Sequence, residues 1–210
     1  MPVFLMTVPA AAFILASACP QPPPIKVHVV GRVDEITIGT EFDLAQLREL
    51  SDRFGRGTKH RPLGYYVSQI SGETSVSIGN DQQDFCMGPI EIEVTIELTS
   101  RHIEIAQDLR NNACQFNAAV VHYRQHAMAD AAVFQRHVVM VTQILTRLSP
   151  SDLFGAAGNS AVRDKTLAPV IQSIIKPVLD EMHTEQASAV EAVDTPAEIR
   201  RLEQSCSGQL

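Results

Sequence analysis

The sequence predicts an α+β fold in which a small, mostly antiparallel sheet packs against two long antiparallel helices. Alternating polar and apolar residues dominate the first half of the chain, and helical spacing of apolar residues dominates the second. Hydrophobic residues make up 45% of the 210 residues and charged residues 20%, which is enough for a core. This length predicts one domain over residues 26–210, after an N-terminal export segment.

The first elements along the chain are predicted to be short strands in residues 27–38. Residues 40–43 then open an amphipathic helix, which carries Leu44, Leu47 and Leu50 on one face and stops at Gly55.

Four further strands are predicted in the centre of the chain. Residues 65–70 and 74–78 flank a turn with Gly72, which predicts a hairpin. Residues 90–98 alternate strictly, with apolar residues at even positions, so we expect one buried face and one solvated face of three glutamates. Residues 102–105 are predicted to form another strand.

The second half of the chain is predicted to be helical. Residues 113–148 contain neither proline nor glycine, which favours one long helix in the core. A second long helix is predicted over residues 167–193, with Pro169 in its first turn and a kink at Pro177. Thr195, followed by proline and then by Glu198, predicts the capped start of a short last helix.

The charge balance excludes two classes of partner. Seventeen basic and 24 acidic residues give a net charge of −7, whereas nucleic-acid-binding domains carry basic patches and a high pI. The same balance argues against a polybasic membrane-surface protein.

The N-terminus predicts export. Residues 3–16 form an apolar run of signal-peptide length, and the small residues that follow it precede Cys19, so residues 1–18 are interpreted as a signal peptide. Residues 19–25 are interpreted as a proline-rich spacer. The alternative is a buried N-terminal helix.

Small residues directly before Cys19 also resemble a bacterial lipoprotein cleavage site. Lipidation of Cys19 would anchor the protein to the membrane without a spanning segment. The alternative is ordinary secretion, and either route predicts a location in the bacterial envelope, periplasmic or lipid-anchored.

An exported chain can form disulfides. We predict a Cys86–Cys114 bridge because each of these cysteines flanks a predicted strand block, although the other pairings, including those with Cys206, stay open.

The chemistry of the sequence is concentrated in His122-Tyr123-Arg124-Gln125-His126. Residues i and i+4 share one face of a helix, so two imidazoles at this spacing can bind one zinc ion. The alternative is a pair of histidines at the edge of the core, held by ordinary hydrogen bonds.

The surrounding residues carry a family resemblance. The strand over residues 102–106, the segment from Cys114 to Ala118 and the histidine pair resemble a group of poorly characterised, exported bacterial proteins of the zincin-type metallopeptidases. The resemblance covers roughly residues 85–206. It implies a zincin-like fold, a zinc cofactor and peptidase ancestry.

The chain departs from this family at Tyr123, where the family motif has glutamate. That carboxylate serves as the general base, whereas a phenol with an ordinary pKa near 10 is a poor base at neutral pH. The departure predicts an impaired peptidase with no assignable catalytic residue.

The third metal ligand is expected from the second long helix. If the two helices run antiparallel, His122 and His126 come level with residues 186–191, so Glu185 and Glu191 are the candidate ligands, with His183 behind them. His137 lies about 16 Å further along the first helix and is excluded. The alternative is that both glutamates belong to a solvated face.

Three functions remain open at this point. The first is an inactive zincin-like module that binds a peptide or an envelope protein. The second is an active metal-dependent hydrolase that uses Glu185 or Glu191 as its base. The third is an envelope protein without a metal.

Overall fold

The computed structural model describes residues 25–53, 62–80, 87–149, 152–153 and 163–206. The expected signal peptide, most of the spacer, Cys19 and Cys86 lie outside these ranges. The α+β class is confirmed. In chain order, the elements are β1 (Ile25–Val33), β2 (Thr37–Gly39), α1 (Leu44–Arg53), β3 (Gly64–Asn80), β4 (Met87–Ile105), a 3₁₀ turn (Gln107–Asn111), α2 (Ala113–Thr146), α3 (Arg163–Glu191) and α4 (Pro196–Gln204).

The sheet is built around β4 and is mixed, so the prediction of a mostly antiparallel sheet was wrong. β3 pairs with β4 in the antiparallel direction, whereas β1 and β2 both pair with β4 in parallel. β3 occupies one edge of β4 along its length, and therefore β1 and β2 follow each other along the opposite edge. Alternation of polar and apolar residues reveals which face of a strand is buried, but not whether the strand runs parallel or antiparallel to its neighbour. Parallel pairing needs a crossover connection, which α1 and β3 supply here.

The predicted hairpin around Gly72 was also wrong. β3 runs without a turn through this position, and Gly72 lies opposite Ile96 of β4. Because β4 is 19 residues long, it offers a partner to both halves of β3. The predicted strands at 90–98 and 102–105 are likewise parts of this single strand.

An irregularity at Ser100 divides β4 into two packing zones. Ser100 has a φ of 52°, and the register with β3 shifts between Val67 and Gln69. A bulge of this kind moves the following side chains to the other face. Even-numbered residues from Ile90 to Leu98 are buried before the bulge, and Arg101, Ile103 and Ile105 are buried after it.

The first zone packs against two long helices. α2 is capped by Asn112, whose side chain accepts a hydrogen bond from the Gln115 backbone N–H, and it ends close to the predicted boundary. α3 starts earlier than predicted and contains both Pro169 and Pro177. The even-numbered face of β4 forms the main core with apolar residues of both helices. The opposite face is solvated as expected, with Lys26–Glu91 and Arg32–Glu97 ion pairs.

α4 begins as predicted, since the Thr195 side chain accepts a hydrogen bond from the Glu198 backbone N–H at 3.1 Å. Its far end is linked covalently to the start of α2 by a disulfide between Cys114 and Cys206. We had predicted a bridge between Cys86 and Cys114, and this prediction was wrong because Cys114 pairs with Cys206. The bridge fastens the last helix to the longest one and not the sheet to that helix.

Within the part of the chain that the structure describes, no helix is both long enough and apolar enough to cross a membrane.

Candidate metal site

His122 and His126 lie one turn apart on α2, and both are only 4% exposed. Their Nε2 atoms are 3.0 Å apart, and the two rings meet edge to face with centroids 4.7 Å apart. The spacing of four residues, which suggested that the two histidines share one metal ion, therefore brings the two ring nitrogens to one point.

The third side chain at this point is Asp194, in the turn between α3 and α4. Its Oδ1 lies 3.1 Å from Nε2 of His122 and 3.0 Å from Nε2 of His126. Backbone hydrogen bonds hold this turn, including Asp194 N–H to the Glu191 carbonyl at 3.0 Å. Asp194 is half-exposed, so the cluster opens to solvent on this side.

The chemistry of these three donors fits a metal ion. Two imidazole nitrogens and one carboxylate oxygen are the ligand types found in zinc sites with three protein ligands. Donors on a tetrahedral zinc lie roughly 3.3 Å apart for bonds of about 2.0–2.1 Å. The observed separations are within a few tenths of an ångström of that spacing, so His122, His126 and Asp194 can hold a metal ion.

The electrostatics of the site favour an ionised Asp194. Burial disfavours the charged carboxylate, but hydrogen bonds and charge interactions with His122 and His126 outweigh burial and hold the pKa of Asp194 well below its usual range. A ligand carboxylate must be deprotonated to bind a metal ion. Asp194 is therefore in the binding-competent form at neutral pH.

A second carboxylate reaches the site from the first turn of α4. Glu198 Oε1 lies 3.4 Å from Nδ1 of His122, the ring nitrogen that points away from the other donors. Arg201 donates to both oxygens of Glu198 at 2.6 and 2.7 Å. Hydrogen bonds from Arg201 and His122 lower the pKa of Glu198, against the opposing effect of burial. Carboxylates in this position orient a metal-binding histidine and fix its tautomer.

Tyr123, which stands where the HExxH motif has glutamate, has a structural role. Its phenol donates to the Gly64 carbonyl at 2.5 Å and accepts from the Gly64 N–H at 3.1 Å. A Cβ at Gly64 would lie 2.8 Å from the Tyr123 ring, so this contact needs glycine. Burial, followed by the nearby Asp194 charge, raises the pKa of Tyr123 far above its ordinary value. Tyr123 therefore ties β3 to α2 and cannot act as a base.

A buried hydrogen-bond network lies one turn beyond His126. Tyr66 donates to Asp130 at 2.6 Å. Arg101, turned inward by the bulge in β4, donates to Tyr66 at 3.3 Å and to the Ala127 carbonyl at 2.7 Å. These bonds supply partners for the buried Asp130 and fasten α2 to the sheet below the histidine pair.

The predicted third ligands, Glu185 and Glu191, are not part of the cluster. Glu185 pairs with Arg136 and lies 3.5 Å from His137 Nε2, three helical turns from His126. Glu191 ends α3 and is exposed, as is His183. His137 also lies outside the cluster.

Glu185 and Glu191 were expected beside the histidine pair because of the helix register that the sequence analysis assumed. His137 faces Glu185 and His126 faces Asp194, so the antiparallel helices pair about nine residues out of step with the assumed register. Sequence periodicity along each helix does not specify that register. The sequence did contain a signal for the third donor. In Asp194-Thr195-Pro196-Ala197-Glu198, two acidic residues lie on either side of a predicted helix start.

Comparison of the chain with protein-family models, with curated proteins and with solved structures finds no match in any of the three.

Proposed function

We propose that this protein is an exported zinc-binding module in which a zincin-like metal site persists without its catalytic base. His122, His126 and Asp194 hold the zinc, and Glu198 orients His122. In this proposal the module binds a peptide or an envelope protein and does not cleave it.

The single observation that carries the proposal is the convergence of three donor atoms within 3.0–3.1 Å of one another. Two of the donors lie four residues apart on one helix, as in the HExxH motif, and the third comes from a later segment. A zinc ion bound there would supply Lewis-acid polarisation of a bound carbonyl or carboxylate group.

The carboxylates at the site support binding over hydrolysis. Asp194 is assigned as a ligand, and Glu198 is already bonded to Arg201 and His122. Tyr123 is bonded to Gly64. General acid–base catalysis contributes about 10²–10⁴-fold to such reactions, so hydrolysis without a base should be slow by about that factor. The competing hydrolase hypothesis uses Glu185 or Glu191 as its base. Glu185 lies at His137, three helical turns from His126, and Glu191 is exposed at the end of α3.

Export is supported by the apolar N-terminal run and by the disulfide between Cys114 and Cys206, which forms in oxidising compartments. A lipid at Cys19 remains part of the proposal, to be tested by mass spectrometry of the mature N-terminus.

The test compares zinc content and peptide cleavage in the wild type, Tyr123→Glu and Tyr123→Phe. We expect the wild type to bind one zinc ion with high affinity and to leave unstructured peptides intact. Tyr123→Glu restores the motif base and should raise zinc-dependent cleavage by about 10²-fold or more.

Tyr123→Phe is the matched control, because it also removes the phenol's bonds to Gly64 but adds no base. Wild-type cleavage as fast as that of Tyr123→Glu would contradict the inactive-site proposal. Absence of zinc binding by the folded wild type would contradict the metal site itself.

A further inference from the structure

The last helix carries Glu198 and begins two residues after Asp194, but it has little packing of its own. α4 has nine residues, fewer than the roughly 12–15 that an isolated helix needs in water. Of the side chains that the structure describes between residues 194 and 206, none is fully buried. Apolar burial therefore contributes little to holding α4 in place.

α4 is instead attached to α2 at both of its ends. At its start, Asp194 and Glu198 contact His122 and His126. At its end, Cys206 is bonded to Cys114 in the first turn of α2. The cysteines are 92 residues apart in sequence, so without the bond only long-range packing would keep the two helices together.

We propose that the Cys114–Cys206 disulfide controls the metal affinity of the site, so that metal binding responds to thiol–disulfide exchange. This inference rests on the proposed zinc-binding function. With the bond closed, α4 holds Glu198 at His122 and steadies the turn that carries Asp194. With the bond open, α4 separates from α2 more readily, and the histidines lose their carboxylate partners for part of the time.

The opening reaction is an ordinary exchange with a dithiol. The dithiol's thiolate attacks one protein sulfur, and the protein S–S bond breaks. The second sulfur of the dithiol then attacks its own first sulfur in the mixed disulfide and releases the protein sulfur bound there. The products are two protein thiols and a cyclic, oxidised dithiol. Electrons and protons balance, because the two hydrogens on the protein thiols come from the dithiol.

The coupling acts through the position of α4 and not through new sulfur ligands. Cys114 precedes His122 by eight residues, about 12 Å along α2. Cys206 lies beyond the far end of α4, twelve residues after Asp194. Neither thiol can therefore replace a carboxylate at the metal.

The expected loss of zinc affinity on opening the disulfide follows from the effective concentration of the ligand segment at the site. A covalent link that holds a ligand segment close to its site can raise affinity by about 10²–10⁴-fold without adding a contact. We expect opening of the disulfide to weaken zinc binding by about 10- to 100-fold, while the histidine pair retains weak binding.

The test measures zinc dissociation constants, by competition with a chromophoric chelator, for the full-length wild type and for Cys114→Ser/Cys206→Ser. The paired substitution opens this bond alone, whereas a reductant acts on every disulfide in the chain. The double variant should bind zinc about 10- to 100-fold more weakly, and tryptic cleavage at Arg200 or Arg201 should become faster and be slowed by zinc.

The possible results separate the two proposals. Equal zinc affinity in the wild type and the double variant overturns the disulfide proposal and leaves the metal site standing. A wild type that binds no more zinc than His122→Ala/His126→Ala overturns the metal site, and the disulfide proposal falls with it.

A second variant keeps the inference testable if the double variant does not fold. Thr195→Ala removes the N-cap of α4 and should weaken zinc binding about five-fold, since caps of this kind stabilise a helix by about that factor. Asp43→Ala removes the equivalent cap of α1, whose Asp43 accepts from the Gln46 N–H at 2.8 Å, and should leave zinc affinity unchanged. Equal affinity for Thr195→Ala and wild type would contradict the role of α4.

Discussion

Two parts of α2 place buried imidazoles opposite carboxylates, and they differ in what those groups can do. In the first part, three donor atoms of His122, His126 and Asp194 lie 3.0–3.1 Å apart. In the second part, His137 contacts the Val133 carbonyl through Nδ1 at 3.0 Å, and its Nε2 lies 3.5 Å from Glu185. Glu185 is also paired with Arg136.

The difference shows what makes a donor cluster on a helix. Histidines four residues apart bring two nitrogens to one point, and a turn residue such as Asp194 can approach from beyond the end of α3. A single buried histidine facing a glutamate that is already paired offers one free nitrogen. Burial of an imidazole beside an acid is therefore not enough to make a metal site.

The largest effect is expected when the histidine pair is removed, and the same change at His137 serves as the comparison. His122→Ala/His126→Ala removes two of three ligands and should weaken zinc binding by at least about 1,000-fold. His137→Ala, a matched change at a histidine that is equally buried on the same helix, should leave the zinc dissociation constant unchanged. Equilibrium zinc titration of the three folded proteins checks this expectation, and equal losses in both variants would contradict the assignment.

A smaller effect compares the two glutamates that face α2. Glu198→Gln keeps the shape of the side chain but removes the charge that orients His122, and should weaken zinc binding about 10- to 100-fold. Glu185→Gln makes the same change at the His137 contact and should have no effect on zinc affinity. The same titration applies here; an effect of Glu185→Gln as large as that of Glu198→Gln would show that charge alone, and not contact with His122, matters.

The local features of the site could be predicted from the sequence, because short-range chemistry determines them. Helix spacing placed the imidazoles of His122 and His126 together, and the capping pattern at Thr195 gave the start of α4. The sequence also shows tyrosine and not glutamate between the two histidines, but it does not show that Tyr123 bonds to Gly64, because β3 is a distant element that periodicity does not place.

The long-range features could not be predicted in this way. Asp194 was missed because periodicity along each helix does not specify the register between α2 and α3. The pairing of Cys114 depended on where α4 returns, and the inward turn of Arg101 depended on the bulge at Ser100. In each case the deciding contact joins segments far apart in the chain, and each segment alone is compatible with several arrangements.

The most direct test of the central claim is zinc K-edge X-ray absorption of the zinc-loaded, full-length protein. We expect a first shell of nitrogen and oxygen donors at about 2.0–2.1 Å, with outer scattering from two imidazole rings and no sulfur. Asp194→Asn should alter this shell, whereas Glu185→Gln should not. A sulfur shell near 2.3 Å, or a spectrum of zinc that is unchanged in His122→Ala/His126→Ala, would contradict the assignment of zinc to this cluster.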